Sequence, residues 1–244
     1  MALLKSAMAG RASRNNHTFV VNELGAAIVG GEIPVGTLLP PDSELEERFD
    51  VSRTVLREAM KTLAAKGLVY PRARVGTRVN DSTKWNLLDA DVLGWYFAIG
   101  ITDELLRHLC EMRLSFEPFA ASLAAANACA EDIAALKAFA DKMAASCSNE
   151  AFAMADLDFH LTLLAASGNP FMYSVGNLIE AALTLAFETS SPAEDPERRL
   201  KVAHSHRLVA EAIEVRDGTA ATKAMEAVIR EGARRISKNI EERA

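Results

Sequence analysis

Apolar residues recur at helical spacing along most of this chain, while β-branched, strand-like runs are concentrated between residues 68 and 79. Between residues 42 and 65 the pattern predicts a short helix over 42–49 and a second helix over about 53–65, with a tight turn at Asp50-Val51 between them. Ser52 is placed to cap the second helix, because its hydroxyl can accept a hydrogen bond from a free amide of the first turn. Gly67 is placed to end that helix.

Two β-branched runs follow, at residues 68–70 and 77–79, and the segment between them, Arg72-Ala73-Arg74-Val75-Gly76, is basic. Two helices joined by a tight turn and followed by a hairpin indicate a winged helix-turn-helix, whose second helix enters the DNA major groove. The sequence therefore predicts a DNA-binding domain over residues 15–80, which we call the head. Residues 1–14 are predicted to form a disordered tail.

The first turns of the second helix carry side chains suited to DNA. Arg53 and Arg57 are four residues apart and share the helix face opposite the apolar stripe. Arginine can form two hydrogen bonds with the edge of guanine, and a helix N-terminus can hold a phosphate. The alternative is that both arginines are solvated surface charges. The predicted DNA-binding residues of the helix and the wing are Ser52, Arg53, Thr54, Arg57, Arg72, Arg74 and Gly76.

The charge distribution agrees with this prediction. Residues 1–80 carry 11 basic and 8 acidic side chains, whereas the remaining 164 residues carry 16 basic and 25 acidic ones. A basic head on an acidic body suits a protein of which the head alone contacts DNA. Because the head is only mildly basic, we expect its affinity for DNA to depend on dimerisation.

After a polar linker at residues 80–84 the pattern is helical, rich in alanine and leucine. Short joints between the helices predict an antiparallel bundle over residues 85–244, so the whole chain is expected to be mostly α. We call this predicted domain the body. Its seven predicted helices are 85–98, 102–126, 130–146, 149–167, 170–190, 196–216 and 218–241.

No apolar run approaches the length of about 18 residues that crosses a bilayer, and the apolar core of the first 14 residues is too short for a signal peptide. We therefore expect a cytoplasmic protein without a membrane partner. Cys110, Cys129 and Cys147 lie in alanine-rich helical segments and form no metal-binding motif, which predicts buried free thiols.

Polar residues on the apolar stripes of the body suggest a site. Asp156 and His160 project from one face of a predicted helix, and His206 lies in the apolar stripe of another. One carboxylate and two imidazoles can bind a divalent metal. A hydrogen-bonded Asp–His pair and a satisfied core histidine are the alternatives.

The head resembles the GntR family of bacterial transcription regulators. The matching segments are VGTLLP at 35–40, SEL at 43–45, VSRTVLREAMKTLAAKGLV at 51–69 and GTRV at 76–79. The resemblance implies a winged-helix regulator that binds a palindromic operator as a homodimer. Ser43 stands where many relatives carry an arginine that helps to read bases, so their operator sequences do not carry over.

The body resembles the FCD ligand-binding domain of the FadR-type subgroup, in EMRLSFEPFAASLAA at 111–125, DLDFH at 156–160, ASGNP at 166–170 and HSHRLVAEAIEVRDG at 204–218. The resemblance implies one divalent metal per chain, with zinc, nickel and manganese as candidates. Its ligands would be Asp156, His160 and His206. Relatives place a fourth ligand, a histidine, where this chain has Val228, which implies an open or degenerate site.

The resemblance also implies that Arg113 holds the carboxylate of a small-molecule effector, since guanidinium and carboxylate match in a planar, two-pronged geometry. An ion pair of Arg113 with Glu111 or Glu117, or a solvated arginine, is the alternative. The segment WNLLDADVLGW at 85–95 is similar to the start of the body in galactonate-type, sugar-acid repressors of the family. The implied effector is a sugar acid or a related hydroxy acid.

The expected function is therefore a metabolite-responsive, dimeric transcription regulator, a repressor that a sugar acid releases from its operator, and not an enzyme. Two alternatives remain from the sequence. A metal with open coordination positions could make the body a hydrolytic enzyme fused to a DNA-binding head. The body could also be inert, leaving a DNA-binding protein without an effector.

Overall fold

A computed structural model describes residues 16–100, 102–190 and 195–241, without the side chains of residues 103, 185–190 and 236–241. The predicted tail at 1–14 lies outside the described residues. The chain divides into two compact units, Met1–Gly100 and Ile101–Ala244. The first contains a two-stranded sheet and helices, and the second is helical wherever it has regular structure, which confirms the predicted mostly α fold class.

The first unit is a winged helix-turn-helix, as predicted. The wing is an antiparallel pair in which Val69 lies opposite Val79 and Arg72 lies opposite Gly76. A short 3-10 helix over Ser82–Lys84 follows it. The other elements of this unit are α1 Asn16–Val29, α2 Asp42–Phe49, α3 Arg53–Ala65, β1 Val69–Arg72, β2 Gly76–Val79 and α4 Ala90–Ala98.

Helix α4 belongs to the first unit, although the sequence analysis assigned its residues to the body. Its Trp95 packs against α1 at Gly25, where an added Cβ would lie 2.4 Å from the indole ring. Its N-terminal region is also tied to α3, because Lys66 Nζ lies 2.7 Å from Asp89 Oδ1 and 2.7 Å from Asp91 Oδ2. The indole and the two carboxylates thus anchor the segment after the linker to the head.

Gly67 ends α3 with a pair of hydrogen bonds that requires a left-handed residue. The amide of Gly67 donates to the carbonyl of Ala64, and the amide of Leu68 donates to that of Leu63, both at 3.0 Å. Gly67 has a φ of +80°, and an added Cβ would lie 2.1 Å from the carbonyl oxygen of Lys84. The predicted end of the helix is confirmed, and the close approach of a second backbone segment gives a further reason for glycine.

We expect Gly67→Ala to destabilise the first unit by more than about 3 kcal/mol, because it adds a backbone collision to left-handed strain. Gly31→Ala is the matched control, since Gly31 has a φ of +81° and open space around it. Left-handed strain alone predicts a loss of about 1–2 kcal/mol there. Chemical denaturation of both variants measures the difference, and equal losses would contradict the steric role of Lys84.

The second unit is helical throughout its described regular structure. The predicted helix over 170–190 is wrong as a single element, because the structure has two helices there. Asn169 caps the first, which ends at Ser174, and the second begins at Gly176, a residue with a low helix propensity. The helices are α5 Asp103–Asn127, α6 Ala130–Ala145, α7 Asn149–Ala166, α8 Pro170–Ser174, α9 Gly176–Ser190, α10 Pro196–Glu214 and α11 Gly218–Glu241.

The core of the second unit forms where α7 and α10 meet their neighbours. Helix α7 packs against α5, α6 and α9, and α10 packs against α5, α6 and α11. Small side chains allow close approach, as at Ala121 and Ala210, both fully buried. Large buried side chains that α7 and α10 contribute to this core include Phe152, Phe159, Leu163, Val209 and Ile213. The central helices therefore hold their inward residues in fixed positions.

The cysteine prediction is wrong in part. Cys110 is half-buried, but Cys129 and Cys147 are exposed. Cys129 lies at the N-cap of α6, and Cys147 lies in the connection between α6 and α7. Helix termini and connections lie at the protein surface, which explains why both thiols are exposed. All three are free thiols. Within the described ranges, no helix combines the length and the apolarity that a bilayer crossing needs.

Candidate functional site

The predicted DNA-binding residues lie on one helix start and on the wing of the first unit. Ser52 caps α3 as predicted, accepting a hydrogen bond from the Val55 amide at 3.4 Å. Arg53, Thr54 and Arg57 are exposed on α3, whose Leu56, Ala59 and Leu63 are buried on another face. The three predicted wing residues are exposed as well, and they are Arg72, Arg74 and Gly76.

Arg53 and Arg57 have no hydrogen bond or ion pair with another residue in the part of the chain that the structure describes. At the wing, Arg74 and Gly76 have φ values of +60° and +116°, so the backbone turns tightly at the exposed tip. Free guanidinium groups on a helix N-terminus and a narrow wing are what groove binding requires. Contact of these residues with DNA stays a prediction.

The second unit brings together three potential metal ligands that the sequence singled out. Helix α7 supplies Asp156 and His160, and α10 supplies His206, all three buried. Nε2 of His206 lies 3.0 Å from Oδ1 of Asp156 and 3.4 Å from Nε2 of His160. One ligand atom from each residue falls within a group no wider than 4.8 Å.

The other ring nitrogen of each histidine has a partner of its own. Nδ1–H of His206 donates to the carbonyl oxygen of Val202 at 2.8 Å, so Nε2 is the ring nitrogen that faces Asp156. Nδ1 of His160 is in close contact with Oε2 of Glu117, although the two do not form an aligned hydrogen bond. Histidine ligands of metals commonly donate their second nitrogen to a carbonyl or a carboxylate in this way. The two Nε2 atoms are therefore oriented toward a common point.

Arg113 and Glu117 on α5 complete the buried cluster. Nε of Arg113 lies 2.5 Å from Oε1 of Glu117, and its Nη2 lies 3.2 Å from Nε2 of His160. The ion pair with Glu117, left open in the sequence analysis, is thus present, whereas Glu111 pairs with Arg107. Arg113 nevertheless lies beside the three potential ligands, and it faces the same nitrogen of His160 that a metal would use.

Both carboxylates of the cluster are held in the charged form. Burial raises the pKa of Glu117, but the charges of Arg113 and His160 lower it by more than burial raises it, to about 2. Burial likewise raises the pKa of Asp156, and the hydrogen bond and charge of His206 bring it down to about 2. At neutral pH Asp156 therefore presents an ionised oxygen beside two imidazole nitrogens.

This donor set fits a divalent transition metal. Zinc lies about 2.0–2.1 Å from nitrogen and carboxylate oxygen, so two tetrahedral ligand atoms lie about 3.3–3.4 Å apart by geometry. Two of the observed separations, 3.0 Å and 3.4 Å, are close to that value, whereas Nε2 of His160 lies 3.9 Å from Oδ2 of Asp156. Val228, for which the family resemblance implies a fourth ligand in relatives, is a half-buried residue of α11 packed against the core.

Two residues of this region carry more weight in the structure than in the sequence analysis. Glu117 was considered only as a partner for Arg113, yet it also contacts His160. Its spacing of four residues from Arg113 indicates a pair on one helix face, whereas the contact with His160 depends on how α5 and α7 pack. Arg235 near the end of α11 was missed, and two of its guanidinium nitrogens are buried. No local pattern distinguishes it from the neighbouring exposed Arg234.

Comparison with known proteins identifies both units. Residues 16–79 match the family described as bacterial regulatory proteins, gntR family, and residues 108–231 match the FCD domain. The chain is 38% identical over 223 residues to the uncharacterized HTH-type transcriptional regulator YieP of Escherichia coli (strain K12), covering 90% of this chain and 95% of that protein.

A second relative and a solved structure agree with the family models. The chain is 31% identical over 218 residues to the galactonate operon transcriptional repressor of Escherichia coli (strain K12), covering 89% of this chain and 95% of that one. Streptococcus agalactiae GntR shares the fold with a TM-score of 0.51 at 26% identity, covering 89% of this chain and 99% of that chain. The chain belongs to the gntR family of bacterial transcription regulators, and its second unit carries an FCD domain.

Proposed function

We propose that this regulator is a cytoplasmic, homodimeric repressor that binds a palindromic operator and leaves it when the second unit binds a sugar acid or a related small carboxylate. The observation that carries the effector assignment is the position of Arg113. Its guanidinium lies at Nε2 of His160, inside the buried cluster that also contains Asp156 and His206. The similarity to the galactonate operon repressor supports a sugar acid.

In this proposal Asp156, His160 and His206 hold one divalent metal. When bound, the metal supplies positive charge and open coordination positions for oxygen donors, the ligand chemistry that a hydroxy acid offers. The two relatives named above are transcription regulators and the gntR model describes regulatory proteins, which favours effector binding over hydrolysis. Glu117 keeps His160 oriented through its Nδ1 side.

Arg113 is suited to bind a carboxylate because the hydrogen-bond donors of its guanidinium are only partly engaged by Glu117. Nε is committed to Glu117 at 2.5 Å, while Nη2 makes a longer contact with Glu117 Oε2 at 3.4 Å. Nη2 also faces His160, so a carboxylate that takes the place of His160 as its partner gains a charge-assisted hydrogen bond. Effector binding would release DNA because the effector favours the state of the protein with the lower operator affinity.

The test is titration of the metal-loaded dimer with a panel of aldonic and uronic acids. At least one acid is expected to raise the melting temperature and to release the operator. Arg113→Lys keeps the positive charge but loses the planar, two-pronged guanidinium. It is expected to weaken the binding of that acid at least about tenfold, a loss of about 1.4 kcal/mol of binding free energy. Operator binding without acid should stay unchanged.

Arg107→Lys is the matched control. Arg107 lies on the same helix and forms the same i,i+4 pair, with Glu111, but both side chains are exposed. It should respond to the acid as the wild type does. A panel without any stabilising acid would argue for an inert body, and an Arg113→Lys variant with an unchanged response would remove Arg113 from the effector site.

A further inference from the structure

Arg235 on α11 is a half-buried cation, and two of its three guanidinium nitrogens are shielded from solvent. Its Nε and Nη1 atoms are shielded from solvent and have no hydrogen-bond partner among the residues that the structure describes. The adjacent Arg234 is exposed and pairs with Glu231, and Glu231 also lies 3.5 Å from Lys201. The nearest acidic residue on the same helix is thus already engaged with other cations.

An unpaired buried guanidinium is costly, because it gives up its hydration and receives no compensating contact. Native proteins satisfy nearly all buried polar groups, and the exceptions call for an explanation such as a ligand. Arginine in particular cannot reduce the cost by losing its proton at physiological pH. The position of Arg235 therefore indicates a binding partner that carries negative charge.

The guanidinium of Arg235 is directed back along α11 toward Val228. The two residues are seven apart and lie on the same face of the helix. A Cβ added at Gly232 would lie 3.7 Å from Nη2 of Arg235, so the side chain folds back over that glycine. Gly232 lies four residues after Val228, about 6 Å along the helix axis.

Electrostatics connect Arg235 with the buried cluster. Burial lowers the pKa of Arg235. The charges of Asp156 and Glu231 raise this pKa, and the charges of Arg198 and Arg113 lower it. Arg235 is thus within electrostatic range of both Asp156 and Arg113. Arg113 is already paired with Glu117, and Asp156 with His206, so Arg235 is the cation of this group that lacks an anionic contact of its own among the described residues.

We propose that Arg235 is a second anion-binding residue of the effector site and that the effector carries two acidic groups. One group pairs with Arg113 as in the proposed function, on which this inference rests, and the other pairs with Arg235. Nε and Nη1 of Arg235, which have no partner among the described residues, are the atoms that would receive the second group. The ligand class is accordingly a dianionic sugar acid, such as an aldaric acid, in preference to an aldonic acid with one carboxylate.

The test compares acids that differ only in the second carboxylate. The metal-loaded full chain is titrated calorimetrically with galactonate and galactarate, and with gluconate and glucarate. We expect at least one dianion to bind tenfold or more tightly than its monoanion. Arg235→Gln should weaken the binding of that dianion at least tenfold, because the charged contact is gone. The affinities of this variant for the dianion and its monoanion should then differ by no more than about threefold.

Arg234→Gln removes the same charge one residue away, on the exposed side, and should retain the wild-type preference. The melting temperature without ligand provides a second readout. Arg235→Gln should match or exceed the wild type, because the substitution removes an unpaired buried charge, whereas a structural arginine would leave a less stable protein.

Four outcomes overturn the proposal. A wild type that binds both members of each pair equally would refute the second anionic group while the proposed function stands. An Arg235→Gln variant that keeps the preference would remove Arg235 from the site, and one that melts well below the wild type would assign it a structural role. Absence of binding by all four acids would overturn the proposal as well, and if the wider acid panel also failed to bind, the proposed function would fall with it.

Discussion

Replacing Arg53 or Arg57 by alanine is expected to weaken specific operator binding by about 1–3 kcal/mol per half-site, the value of one arginine contact with a guanine edge. Both side chains are exposed at the start of α3 and have no ion pair with another described residue, so each can turn toward a base at little internal cost. In a dimer the loss applies at both half-sites. Titration of operator DNA at fixed salt measures it.

Lys61→Ala is the control for this prediction. Lys61 lies on α3 as well, two turns further along, where it is exposed and pairs with Glu58 at 2.7 Å. The substitution removes one positive charge of the helix but leaves the first turns unchanged. It should therefore change only the salt dependence of DNA binding, by at most about one unit in the slope of log affinity against log salt concentration. Unchanged operator affinity in both arginine variants would show that another surface reads the DNA.

The head was predictable because its signals are local. The cap at Ser52, the stop at Gly67 and the stripe of α3 are each set within a few residues, and the structure confirms all three. The placement of α4 was not predictable in this way. Trp95 packs against α1 about seventy residues earlier in the chain, and no periodicity within α4 specifies that partner.

The same distinction applies to the second unit. An i,i+4 spacing places Asp156 and His160 on one face of α7, and the apolar stripe of α10 directs His206 inward, so the sequence could nominate all three. Their convergence, and the contact of Glu117 with His160, depend on how α5, α7 and α10 pack. Arg235 was not predictable, because a basic residue near the end of an amphipathic helix is ordinarily solvated and its burial is a tertiary effect.

At Gly176 the sequence contains two local signals that conflict, a glycine that favours a helix break and an apolar pattern that favours one continuous helix. The apolar pattern continues from residue 170 to 190, which favours one helix. An added Cβ at Gly176 would lie 3.0 Å from Leu161 of α7, so glycine allows the close approach of that side chain. Packing against α7 and the low helix propensity of glycine together start a new helix at this point.

His160→Ala is expected to abolish metal binding, with the largest effect of any single change in the second unit. The wild-type protein should bind about one divalent ion per chain, because one cluster of three ligands is present in the described residues. The variant should bind none, since a carboxylate and one imidazole make too small a donor set for a zinc-type site. Elemental analysis and titration with zinc, nickel and manganese measure the stoichiometry.

Removal of the metal should also lower the melting temperature of the wild type. A ligand that binds only the folded state stabilises it by about 3 kcal/mol at a hundredfold excess over its Kd, and His160→Ala should lose this response to added metal. His204→Ala is the control, because His204 is exposed on α10 only two residues from His206. It should keep both the stoichiometry and the thermal response. A wild type that binds none of the three metals would leave His160 and His206 as hydrogen-bonded core residues, oriented by Glu117 and Val202.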